Sequence, residues 1–178
     1  MAVDQKDSAQ LSDIERFVEI EKIRELKARY WAAVDAQRWN EVAGYFVSPD
    51  TEIKLRMSFP DGRPLRTVRD FCEFCAGPYY EGTRSLHLGH NWIIDFQSPT
   101  RAEGTWKFGA VEYPVGTNPH DTSATVHWWG YHKDRYEKTP DRGWRIAFTD
   151  YTANTGTFTM FEPAKFKDKW RNAPPDSM

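Results

Sequence analysis

Ile20, Ile23, Leu26, Tyr30 and Val34 recur at close to helical spacing, and charged residues crowd the positions between them. Glu21, Lys22, Arg24, Glu25, Lys27 and Arg29 read as the solvent side of one long amphipathic helix. Ser12 and Glu15 form a capping-box pattern, so the helix is expected from there to about Ala36. A second, short helix is expected over residues 40–46, ended by Ser48-Pro49-Asp50. A strand over 51–57 and a turn at Pro60-Asp61-Gly62 follow. Thr67 is placed to cap a third helix through Cys75, which Gly77-Pro78 stops.

Beyond this point the pattern is strand-like. Residues 84–96, 101–115, 123–137 and 143–158 are long runs rich in Trp, Tyr, Phe, Val and Thr. Turn signals at Ser98-Pro99, Gly116-Thr117-Asn118-Pro119 and Thr139-Pro140-Asp141-Arg142-Gly143 separate them. Alternation puts Ala124, Val126, Trp128, Gly130 and His132 on one face, with Thr125, His127, Trp129, Tyr131 and Lys133 on the other. Both faces carry aromatics, so helices are expected to cover one and a second copy of the chain the other. The expected assembly is a homo-oligomer, a dimer or trimer. Helices first and a long meander afterwards is an α+β order. Strands this long must twist, and a coiled sheet can wrap the first helix into a cone-shaped α+β barrel with a pocket. The sheet is expected to be strongly curved, mixed or antiparallel. Residues 1–11 are expected to be a flexible tail and 12–162 the domain. Residues 163–178 read as a second tail, with a short helix over 165–170.

At 178 residues the chain is long enough to bury a real core as one domain. The 24 basic and 26 acidic residues nearly balance, which gives no electrostatic reason to expect nucleic acid or an anionic membrane. No run approaches the ~18 apolar residues of a membrane span. The first ten residues, MAVDQKDSAQ, lack the apolar stretch of a signal peptide, so a soluble cytoplasmic protein is expected. Eight Trp among 15% aromatics is the anomaly, consistent with core, interface or the lining of a pocket for a flat, apolar ligand. Cys72 and Cys75 form Cys-x-x-Cys without a preceding strand or a second pair, and read as small apolar residues on a short helix.

The candidate chemistry lies at the inward end of the first helix, in Tyr30-Trp31-Ala32-Ala33-Val34-Asp35. A buried carboxylate is costly unless paired, so Asp35 must reach water or find a donor. A histidine is the productive donor, because a neutral imidazole beside a carboxylate is the natural general base near pH 7. Tyr30 and Asp35 are five residues apart, about 140° around a helix. They can share one site only if the pocket surrounds the helix end or the helix unwinds there. His87 and His90 lie three apart on a strand and should face opposite sides unless Gly89 marks a bulge. Strict alternation groups His87 with Asn91, and His90 with Leu86, Leu88 and Trp92. The residues alone do not choose between the two histidines. A metal site drawn from His87, His90, His127 or His132 lacks a known ligand spacing.

The order of elements and three motifs resemble the SnoaL-like branch of the nuclear transport factor 2-like superfamily. The motifs are Ile23-Arg24-Glu25-Leu26-Lys27-Ala28-Arg29-Tyr30 leading to Asp35 and Trp39; His87-Leu88-Gly89-His90; and Asp134-Arg135-Tyr136-Glu137-Lys138 followed by Gly143-Trp144-Arg145-Ile146. The last marks only the fold. The first two are similar to the dehydratase subgroup, above all the bile acid 7α-dehydratases and more distantly the scytalone dehydratases. This resemblance implies Tyr30, Asp35 and His87 as catalytic residues. It also implies departures: Leu55 stands where those dehydratases carry a tyrosine, and Ala110 where the bile acid enzymes place a carboxylate. Glu112, two residues on and on the same strand face, is the candidate replacement. The expected function is a cofactor-independent dehydratase acting on a hydroxylated, largely apolar ring system such as a steroid, terpenoid or polyketide. Tyr30 would serve as acid for the departing oxygen, and no metal or organic cofactor is required. Leu55, Trp106, Phe108, Glu112, Trp128 and His132 are the candidate substrate-binding residues, with Tyr131 a further wall. The same base could serve an isomerase or cyclase, and the fold could also serve a non-catalytic binding module.

Overall fold

The computed structural model describes residues 11–56, 65–77, 83–114 and 124–160. The elements run α1 Asp13–Asp35, α2 Trp39–Gly44, β1 Ile53–Arg56, α3 Val68–Cys75, β2 Thr83–Ser98, β3 Arg101–Pro114, β4 Ala124–Thr139 and β5 Gly143–Met160. The expected tail before residue 11, the turn at 60–62 and the C-terminal helix lie outside the described residues. Both capping signals are realised. The Ser12 hydroxyl accepts from the Glu15 backbone while Glu15 accepts from the Ser12 N–H, and Thr67 and Asp70 repeat the exchange at α3.

One sheet in the order β1-β5-β4-β3-β2 carries the fold, with β1 parallel to β5 and the other pairs antiparallel. It is the expected curved, mixed sheet, left open between the edges β1 and β2. Register shifts supply local bends: one between His90 and Ile93 in β2, and two in β5, opposite Trp129/Gly130 and Arg135/Tyr136 of β4. The concave face receives α1, which packs on β2 and β5 and touches α2, while α2 in turn packs on α3. Ile23, Leu26, Tyr30 and Val34 are buried there, with Phe108, Tyr136 and Ile146 from the strands. Glu19, near the start of α1, accepts from Trp144 Nε1 at 2.6 Å and pairs with Lys138 Nζ at 3.0 Å. These contacts fix that end of the helix to the sheet.

Lys27 does not join the solvent-side charges. It is wholly buried, with Nζ 2.7 Å from Oδ2 of the equally buried Asp134. The reason is helical phase: four residues past Ile23 is only about 40° off the buried stripe. Asp134 sits on β4 in the same alternation as His132, facing the helix. The carboxylate also accepts from the Thr149 hydroxyl at 2.6 Å and the Tyr136 hydroxyl at 2.7 Å. Tyr136 in turn accepts from Trp106 Nε1 at 2.8 Å.

Removing one partner of a buried pair strands the other charge in a medium that cannot solvate it. Lys27→Met is therefore expected to lower unfolding stability by roughly 3–5 kcal/mol. Lys22→Ala, removing a half-exposed pair with Glu19, should cost about 1 kcal/mol or less. Urea denaturation of both variants checks this, and equal costs would show that the Lys27–Asp134 pair does not organise the core.

Candidate active site

Helix α1 ends in a Schellman motif that its sequence does not advertise. Gln37, not a glycine, takes the left-handed conformation at φ 55°. The Arg38 N–H reaches the Ala33 carbonyl and the Gln37 N–H the Val34 carbonyl, both at 2.9 Å. The Gln37 side chain then donates to the Thr83 carbonyl at 2.7 Å. This last bond ties the helix end to the start of β2 and sets Asp35 against that strand.

Three donors from β2 converge on Asp35. Oδ1 accepts from the Ser85 hydroxyl at 3.0 Å and from His87 Nδ1 at 2.5 Å, and Oδ2 accepts from the His87 backbone N–H at 3.0 Å. Burial pushes the Asp35 carboxyl up. The His87 ring bond and charge, the His87 N–H and the Ser85 hydroxyl outweigh it, so the net pKa lies below the ordinary value. An ionised carboxylate only accepts, so Nδ1 of His87 carries a proton. In the neutral ring, Nε2 is then a lone pair.

His87 lines an apolar cavity of about 60 Å³ between α1, α3 and the concave sheet. On this scale a water needs roughly 10–15 Å³, so the space holds several waters or a compact ring. Tyr30, Leu55, Phe108, Trp128, Tyr151 and His132 are among its walls, and Ala110 and Glu112 both face it. Tyr30 is buried with its ring edge-on to Phe46, and burial, with Asp134 nearby, raises its pKa so that the phenol keeps its proton. Tyr30 and Asp35 reach one site without unwinding the helix. Tyr30 touches the cavity directly, whereas Asp35 stands behind His87, and the imidazole spans the angular gap.

The structure separates the two strand histidines. Ser85 and His87 face the helix, while His90 is exposed. Gly89 is not the bulge. A side chain there would collide with the Trp31 ring, so the glycine makes room for α1. The phase break falls at Asn91, with φ 47°, and it turns Trp92 inward, against the strict alternation that groups it with His90. Trp106 lies outside the lining of this cavity, 3% exposed, with its indole N–H donated to Tyr136. Tyr131 falls on the opposite sheet face, in phase with the half-exposed Trp129. Cys75 lines the cavity as a free, buried thiol, with burial the main cause of its raised pKa.

Several residues escaped the sequence reading. Ser85 was findable, two positions before His87 on the same strand face. Behind His132 lie Lys27, 3.3 Å from its Nδ1, and Thr149, 3.4 Å away. Burial, then the Lys27 charge, then that of His87 hold the His132 pKa well below its ordinary value. Among the described residues no group of three His, Cys, Asp or Glu is placed to hold a metal, and no helix is long and apolar enough to cross a membrane.

Asp35 gives a pH signature. Its folded pKa is below the unfolded value near 3.8, so its contribution is complete above that pH and is lost as pH falls through the folded pKa. Urea midpoints measured from pH 6 downward should fall more steeply for wild type than for Asp35→Asn below about pH 4. Parallel curves would contradict the three-donor geometry.

With this geometry in place, comparisons with known proteins become informative. The sequence model of the SnoaL-like domain matches residues 15–150. A candidate scytalone dehydratase from Novosphingobium aromaticivorans DSM 12444 superposes with a TM-score of 0.66 at 20% identity, over 84% of this chain and 93% of that one. A hexachlorocyclohexane dehydrochlorinase from Novosphingobium barchaimii LL02 gives 0.65 at 16% identity, over 83% and 94%. An NTF2-like superfamily protein from Salmonella enterica serovar Typhimurium LT2 gives 0.60 at 19% identity, over 79% and 94%. A match through three-quarters of the chain shows that the protein belongs to the SnoaL-like domain family, and its helices and curved sheet have the fold of the NTF2-like protein.

Proposed function

We propose that the protein is a cofactor-independent dehydratase acting on a compact, hydroxylated, largely apolar ring. One observation carries this reading. His87 gives Nδ1–H to Asp35 and so turns its Nε2 lone pair to an apolar cavity. Nε2 removes a proton from a substrate carbon, and Asp35 stabilises the imidazolium as it forms. Tyr30, which keeps its proton until hydroxide departs, donates it to the leaving oxygen so that water is lost. Leu55, Phe108, Trp128 and Tyr151 exclude bulk water, and Glu112 takes the place of the carboxylate expected at Ala110. Two similarly folded proteins bear names of enzymes that eliminate water or hydrogen chloride, reactions that share the proton-abstraction step. An isomerase would use the same base but lose no water.

Mass spectrometry of hydroxylated ring compounds incubated with the protein tests the reading, by the appearance of a product lighter by one water. His87→Ala should lower turnover by roughly 10²–10⁴. Asp35→Asn should lower it substantially while the fold survives, because the amide keeps size but cannot stabilise the charged ring. Tyr30→Phe should impair poor leaving groups most. His90→Ala should change little, and an essential His90 with a dispensable His87 would refute the assignment.

The chain is further proposed to act as a homo-oligomer that covers the outer sheet face, where Leu86, Leu88 and Trp129 are about half exposed. Sedimentation should show a dimer or trimer at micromolar concentration, and Leu88→Lys with Trp129→Lys should shift it toward monomer. A wild-type monomer would refute this.

A further inference from the structure

We propose that His132 is a second catalytic residue, donating its Nε2–H to the substrate oxygen that takes up negative charge when His87 removes a proton. This rests on the reading of His87 as the base and adds the group that receives the resulting charge.

Lys27 Nζ lies 2.7 Å from Asp134 and 3.3 Å from His132 Nδ1, and the faces of Tyr30 and Trp31 lie 4.8 and 4.9 Å from it. A carboxylate and two aromatic faces are surroundings for an ammonium, and an ammonium has no lone pair to offer. His132 Nδ1 must therefore accept, and the proton of the neutral ring sits on Nε2. Thr149 does not reverse this, since its hydroxyl hydrogen goes to Asp134. The Nδ1 edge is committed to Lys27 at the back, so the Nε2–H edge is the one His132 has for the cavity it lines.

The cavity then contains two neutral imidazoles of opposite sense. His87, backed by an anion, presents a lone pair. His132, backed by a cation, presents an N–H. Phe108, on the intervening strand β3, packs against both rings, 5.3 Å from His87 and 5.0 Å from His132 by centroid, and all three line the one cavity. Carbon acids lose a proton readily only where a carbonyl can take up the charge, and a neutral histidine serves that oxygen well.

The step balances as follows. His87 Nε2 takes the proton from the carbon α to the carbonyl, and the electron pair moves onto the oxygen held by His132. The pair returns to form the carbon–carbon double bond as the β C–O bond breaks, and the departing hydroxide takes the Tyr30 proton. Water and a conjugated enone result, and the His87 proton passes through solvent to restore Tyr30.

The test uses 4-nitrophenol, whose phenolate mimics a ring enolate, and protein labelled with ¹⁵N-histidine. In the free wild type, ¹⁵N shifts should show His132 protonated on Nε2 and bare on Nδ1. Phenolate binding should move the Nε2 signal. His132→Met removes the donor, and its phenolate affinity should fall by on the order of ten- to a hundredfold. His132→Gln, which retains an acceptor for Lys27 and a donor for the ligand, should recover part of the loss. The Nδ1–H tautomer, no phenolate binding by wild type, or a His132→Met affinity equal to wild type would each overturn the proposal. Because the tautomer is read in wild type, misfolding of a variant leaves it testable. The base is tested by turnover of His87→Ala and the donor by phenolate binding, so either reading can fail while the other stands.

Discussion

A lysine ammonium with no access to water constrains the rest of this structure. Lys27 can keep its charge only where acceptors converge on it, and no single element supplies them. Asp134 comes from β4, and the Tyr30 and Trp31 faces from α1 itself. Thr149 on β5 and Tyr136 on β4 complete the carboxylate's shell. A shift of α1 along the sheet would leave several of these groups unpaired at once, which is how an ion pair of uncertain net stability can still specify one arrangement. Asp134 has its oxygens occupied by Lys27, Tyr136 and Thr149, so His132 meets the cation and not the anion. The same pair that registers the helix thus decides a histidine's tautomer.

Asp35 is positioned by a different device. The left-handed turn at Gln37 ends the helix just past it. The Gln37 side chain then holds the terminus to Thr83, at the mouth of the strand bearing Ser85 and His87. A non-glycine residue at positive φ costs of order 1 kcal/mol or more, and it persists here with backbone and side-chain bonds that over-determine it. Trp31, seated over Gly89, fixes the separation of α1 and β2 that these bonds require.

Much of the fold was legible because its signals are local. The capping boxes at Ser12 and Thr67, the turn residues after β2 and β4 and the alternation along β4 each announce themselves within a few residues. The pairing of Asp35 with His87 was legible only as a motif match, since spacing alone left His90 equal. The tie is broken by the strand's approach to Trp31 and the bulge at Asn91, neither of which alternation encodes. Lys27 was misread because residue type outweighed phase. Its position lies on the buried stripe, but a lysine there makes sense only once Asp134, over a hundred residues away, is known to face it. Trp106 shows the complementary limit: nothing in the sequence says that its indole is committed to Tyr136. Gln37 shows the same limit, since a left-handed helix end written without glycine has no signature in one sequence.

The arrangement also explains how charge chemistry could run in an apolar space too small to solvate it. Glu112 stands on the cavity wall, while Asp35 and Lys27 each stand one layer back, behind an imidazole. His132 and Tyr30 present neutral groups to the cavity, because burial lowers the one pKa and raises the other, so a largely apolar ring can enter without displacing a bound counter-ion from them. Under the proposed reaction, positive charge develops on His87 directly against Asp35. Negative charge develops on the oxygen at His132, with Lys27 on the ring's far side. Each developing charge meets a partner that was fixed during folding and needs no reorganisation when the proton moves. The cost of holding those partners is met in the core, through the Ser85, Thr149 and Tyr136 bonds, and not by the substrate. On this view the sequence departures at Leu55 and Ala110 matter less to the chemistry than to shape, because they remove polar groups from the walls while leaving the two back-supported imidazoles intact.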